Sequence, residues 1–65
     1  MNIRVNGIDC DVTATDLESL LAELDYAGQT VATALNQSFV RKKDRAGTKI
    51  ADGDEIEILT PRQGG

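Results

Sequence analysis

The sequence has no histidine and no tryptophan, one cysteine (Cys10), one proline (Pro61) and only two aromatic residues, Tyr26 and Phe39. The absence of histidine removes the commonest general base and the commonest metal ligand. With a single cysteine there is no internal disulfide, although a secreted domain of this size normally carries several. No apolar run reaches the length of a signal-peptide core or a membrane span. The expected compartment is therefore a reducing cytoplasm. No nucleophile–base pair and no metal constellation can be assembled from the residues present, so an enzyme is not the expectation. Nor is a tightly bound cofactor.

The chain is 65 residues long, which is one small domain. Such a chain buries only about 60% of its unfolded surface, too little for a deep catalytic site with several supporting layers. Apolar residues make up 40%, enough for one compact core. The net charge is −4, and the first 40 residues hold six acids against Arg4 alone. That balance argues against a general nucleic-acid binder and suits docking onto positively charged partners.

Met1 to Val12 reads as a β-hairpin. Ile3, Val5, Ile8, Cys10 and Val12 alternate with period two on either side of Asn6-Gly7, a pair that tolerates the positive φ of a type I′ turn. This turn sets Val5 opposite Ile8, Ile3 opposite Cys10 and Met1 opposite Val12, all on one inward face. Arg4 then lies opposite Asp9 on the other face. Thr13 to Gly28 reads as a helix, with Thr15 as N-cap, Glu18 completing a capping box and Gly28 as the stop. Leu17, Leu20, Leu21 and Leu24 form one helical stripe. Their burial is worth roughly 6–12 kcal/mol as an upper figure.

Val31 to Leu35 is the expected third strand, broken by Asn36-Gln37, with a short fourth at Ser38-Phe39-Val40. Arg41 to Lys49 reads as polar and irregular, with room for one helical turn. Ile50 is an isolated anchor, and Asp52-Gly53-Asp54 is a turn. Glu55 to Thr60 is the last strand, with Ile56 and Ile58 inward. Pro61 ends it, having no N–H for a ladder. The domain is expected to cover residues 1–60 and a flexible Gly-Gly tail residues 61–65. The pattern supports an α+β sheet with one covering helix.

Two glycines after a rigid strand have a chemical use. With the pair read as the end of the complete chain, the five residues from Pro61 reach roughly 16–18 Å. Without side chains at Gly64 and Gly65, such a tail can thread a narrow channel. Its carboxylate is open to attack ATP and form an acyl-adenylate, which a sulfur nucleophile can then capture.

Nearly the whole chain is similar to the sulfur carrier proteins of thiazole (thiamin) biosynthesis. The likeness runs through the hairpin, the leucine helix, the stretch Ala32-Thr33-Ala34-Leu35-Asn36-Gln37-Ser38-Phe39-Val40, the stretch Asp52 to Pro61, and Gln63-Gly64-Gly65. It implies a β-grasp (ubiquitin-like) mixed sheet of four to five strands covered by one helix, with the first and last strands adjacent in the middle. It also implies Gly65 as the residue converted to adenylate and thiocarboxylate, with Gly64 and Gln63 in the partner's channel. The implied partners are an E1-like adenylyltransferase that uses ATP, a sulfur donor such as a cysteine desulfurase relay, and thiazole synthase. The small subunit of molybdopterin synthase shares the fold and the Gly-Gly end and is the nearest alternative. A non-carrier ubiquitin-like interaction module is the alternative from another class.

Other features carry a sharper and a plainer reading. Cys10 is expected inward as a small hydrophobe rather than as a sulfur relay. Arg41, Lys42, Lys43 and Arg45 are expected to form a solvated basic loop. Asp52, Asp54 and Glu55 lack the spacing of a calcium loop and read as a turn. Leu59 points away from Ile56 and Ile58. With Phe39 it is a candidate for partner docking, or else a minor core contact.

Overall fold

The computed structural model describes residues 1–61. Five strands and one α-helix follow in the order β1 (Asn2–Val5), β2 (Ile8–Asp11), α1 (Leu17–Glu23), β3 (Ala32–Leu35), β4 (Ser38–Val40) and β5 (Glu55–Leu59), with a single 3₁₀ turn at Lys42–Asp44. They form one mixed sheet in the order β2-β1-β5-β3-β4. The parallel pair β1–β5 occupies its middle, and the other neighbours are antiparallel. This is the β-grasp arrangement.

The first hairpin has the register set by Asn6-Gly7, with Ile3 opposite Cys10, Arg4 opposite Asp9 and Val5 opposite Ile8. Both turn residues take positive φ, 51° and 84°. Ile3, Ile56 and Ile58 on the inner sheet face meet Leu17, Leu20 and Leu21 of α1, with Val12, Ala14 and Ile50 closing the ends. Leu24 packs at the margin and is only half-buried. Ile8 departs from the inward expectation, for it is 71% exposed. It shares the inner face with Val5 and Cys10, but it stands on an outer strand at the turn, and α1 is too short to cover it.

The helix is shorter than expected at both ends. Its N-cap is Asp16, not Thr15, and Asp16 Oδ1 accepts the Ser19 N–H at 2.8 Å. The physical reason is competition for the backbone. The Thr15 carbonyl accepts the Ile50 N–H and the Leu17 N–H donates to the Thr48 carbonyl, so the chain is still extended at Thr15–Asp16. The helix ends at Leu24 because Asp25 turns left-handed at φ 67°, three residues before Gly28. Glu23 then reaches back to accept the backbone N–H groups of Thr13 and Ala14. Hydrogen bonds from the Ser19 backbone to Asp16, and from the Thr13 backbone to Glu23, hold both carboxyls below their usual range. A lowered folded-state pKa adds stability above the unfolded value, near pH ~4, and that stability is lost as pH falls through the folded value.

The segment 41–49 is not a solvated loop throughout. The Arg45 carbonyl accepts the Glu18 N–H, and with the Thr48 carbonyl it serves the first turn of α1. The Arg45 side chain is 6% exposed and runs inward. Its Nε donates to Thr33 Oγ1 at 3.1 Å and its Nη2 to the Val31 carbonyl at 2.7 Å. Thr33 in turn donates to the Val40 carbonyl. A cation predicted for solvent therefore joins the 3₁₀ turn to β3, satisfied by oxygen dipoles.

Candidate functional site

The site is built outward from β5. Its alternation puts Ile56 and Ile58 in the core and Glu55, Glu57 and Leu59 on the open face of the sheet. Being central, β5 is paired on both sides. Each hairpin turn adds a side-chain clamp. Asn6 Oδ1 accepts the Ile58 N–H at 2.9 Å, and Asn6 Nδ2 donates to the Ile58 carbonyl at 3.0 Å. That carboxamide stands in for a backbone unit where β1 has already turned away. At the other end, Asn36 Oδ1 accepts the Glu55 N–H at 2.9 Å, while the Asn36 N–H donates to the Glu55 carbonyl. Leu59, Thr60 and Pro61 thus leave from a strand fixed at both ends.

The open face beside that exit is apolar. Leu59 is 66% exposed and Phe39 70% exposed, so neither is a core contact. Ala32 lies opposite Leu59, and Ala34 lies between Glu57 and Phe39. The two alanines leave low ground between two large side chains. A shallow cleft of about 290 Å³, lined by Thr30, Val31, Ala32, Leu59, Thr60 and Pro61, lies at the strand's end. Across the sheet the same face turns polar, where Arg4 Nε lies 3.4 Å from Asp9 and Arg4 Nη1 4.0 Å from Glu55.

The chain matches the ThiS family over residues 3–65. It belongs to that family. Among solved structures it is similar to the crystal structure of the thiamine biosynthesis protein ThiS from Geobacter metallireducens, with 30% identity and a TM-score of 0.85 over 100% of both chains. A solution structure of a thiamine biosynthesis protein from that organism gives 30% identity and a TM-score of 0.81 over 100% of this chain and 88% of the other. A molybdopterin synthase sulfur carrier subunit from Chlamydomonas reinhardtii is 42% identical over 55 residues, which is 74% of this chain and 64% of the relative. The chain therefore spans less than two thirds of that relative's length.

Against the family, the expected site divides in two. Gly65, Gly64 and Gln63 lie outside the described residues. Leu59 and Phe39 are described, share one face and sit beside the exit of β5. Cys10 is half-buried and packs against the core, as its place in the hairpin suggested. No group of three or more carboxylate or cysteine side chains is placed to hold a metal among the described residues. No helix among them is long and apolar enough to cross a membrane. Sequence reasoning missed Asn6 and Asn36 as clamps. The available signal was that asparagine precedes the second position of both tight turns beside the same strand.

Proposed function

We propose that this protein is a sulfur carrier for thiazole formation, acting as a protein cosubstrate and not as a catalyst. In this reading residues 1–60 are the recognised body and residues 61–65 the working tail. A carboxylate oxygen of Gly65 attacks the α-phosphorus of ATP on an E1-like adenylyltransferase, and pyrophosphate leaves. A sulfur nucleophile from a persulfide relay, such as one fed by a cysteine desulfurase, then displaces AMP. Reductive release leaves a thiocarboxylate, from which thiazole synthase takes sulfur. Gly64 and Gln63 occupy the partner's channel, and the reducing cytoplasm is the fitting compartment.

The observation that carries this reading is the way β5 is held. A central strand, clamped at Glu55 and at Ile58, delivers Pro61 to the edge of an apolar patch. Family membership supports the same chemistry. Mass spectrometry tests it: with adenylyltransferase, ATP and a sulfur source, the chain should gain the mass of one oxygen-for-sulfur exchange at Gly65. Deleting Gly65 should abolish that gain with the fold intact. A pathway that runs without the tail refutes the carrier reading.

Leu59 and Phe39 are proposed to dock the adenylyltransferase. Leu59→Asp should weaken that binding at unchanged stability, and undiminished affinity would remove Leu59 from the interface. The likeness to a molybdopterin synthase subunit favours a second reading, in which that synthase is the acceptor. Presenting the thiocarboxylate form to each acceptor and following sulfur transfer separates the two.

A further inference from the structure

The strand β2 is an outer strand, and the register of its hairpin determines which backbone groups it offers. Val5–Ile8 closes the two-residue turn, and Met1 and Val12 exchange backbone bonds at the other end. The hydrogen-bonded pairs therefore fall at Ile8, Cys10 and Val12. The N–H and C=O groups of Asp9 and Asp11 point away from β1, out of the sheet. Such an edge is a template for another strand.

Its two faces differ in chemistry. On the helix side, exposed Ile8 stands at the rim of a groove of about 300 Å³ lined by Val5, Asn6, Cys10, Leu24 and Tyr26. On the open side the carboxylates of Asp9 and Asp11 are both exposed. Glu55 and Glu57 stand on the same face, so β2, β1 and β5 together present four carboxylates there against the guanidinium of Arg4.

We infer that β2 is a docking edge for an extended segment of a basic partner protein, in which apolar residues alternate with lysine or arginine. Added beside β2, such a strand places every second side chain on each face. Its apolar residues enter the groove at Ile8, Cys10, Leu24 and Tyr26. Its cations lie over Asp9 and Asp11, as cross-strand charge pairs do. A second copy of this chain is a poor occupant of the same edge, because β2 against β2 sets Asp9 and Asp11 across from like charges. The site is separate from the tail and does not rest on sulfur transfer.

The test is a titration of the ¹⁵N-labelled full chain with a capped heptapeptide of alternating lysine and valine, beside one of alternating glutamate and valine. The basic peptide should give saturable amide shifts at Ile8 to Asp11, Leu24 and Tyr26, with slowed exchange at the Asp9 and Asp11 amides. The doubly substituted Asp9→Asn/Asp11→Asn chain should bind roughly tenfold more weakly, the loss expected from two exposed charge pairs. Ile8→Ser should weaken binding with the spectrum otherwise unchanged. The inference is overturned if no shifts arise at millimolar peptide, if they centre on Leu59 and Phe39, if the acidic peptide binds as well, or if the asparagine substitutions change nothing. Concentration-dependent self-association through β2 would overturn it too.

Discussion

The two tight turns of the sheet, Asn6-Gly7 and Asn36-Gln37, do the same work with different residues. Both positions of each are left-handed, with φ of 51° and 84° in the first and 49° and 71° in the second. In each, the asparagine carboxamide accepts a backbone N–H of β5. The second position differs: glycine adopts that conformation freely, whereas glutamine bears the crowding of a Cβ against its own carbonyl. Asparagine, which tolerates the left-handed region, is thus the shared requirement, and glycine only eases the turn. The clamps also differ. Asn6 both accepts and donates at half-buried Ile58 groups, while the Asn36 carboxamide accepts from exposed Glu55 and donates to Asp54.

Four substitutions test this comparison. Asn6→Ala should cost the most, about 2–4 kcal/mol, because it strands both Ile58 backbone groups and puts alanine at positive φ. A urea unfolding midpoint measures this, and a loss below about 1 kcal/mol would mean that water replaces the carboxamide. Asn36→Ala should cost less, about 1–2 kcal/mol, since water reaches Glu55. Equal losses at the two sites would erase the distinction between the clamps. The remaining pair exchanges the second residues of the turns. Gly7→Gln should cost about 1 kcal/mol; no atom lies within 4 Å of a Cβ there, so the cost is conformational alone. Gln37→Gly should gain about 0.5–1 kcal/mol, the strain relieved less the added freedom of the unfolded chain. A domain of this size should then melt roughly 4 °C higher. Two changes of the same sign would refute the shared-turn account.

The same contrast shows what the sequence made legible. The register of the first hairpin followed from Asn-Gly and alternation, and the structure keeps it pair by pair. Asn36-Gln37 was legible only as a break, because without glycine the local signal for a turn is weak. The leucine stripe gave the buried face of α1, but its boundaries depended on Thr48 and Ile50, far along the chain, which hold the backbone at Thr15 extended. Arg45 looked like its basic neighbours, and nothing local announced that Thr33 would offer it an oxygen. Ile8 fits the alternation and is exposed all the same, since periodicity assigns a face and not how far a neighbouring helix extends. Of the candidate site, the exposure of Leu59 followed from alternation, and the path from Phe39 to it through Ala34 and Ala32 required the sheet order.

The placing of β5 between β1 and β3 has a consequence for how the domain comes to exist. β5 is the last described strand to leave the ribosome, and it fills the middle of the sheet. Until it arrives, the two hairpins have no common neighbour, and the contacts that join them span most of the chain. Closing such long loops is slow, and little native structure rewards the early steps. Synthesis therefore yields a collapsed, sheetless intermediate until residue 59 is free, and the segment that follows β5 is displayed only on a body already complete. A chain interrupted before β5 has no folded form, so quality control of the body and availability of its end are the same event.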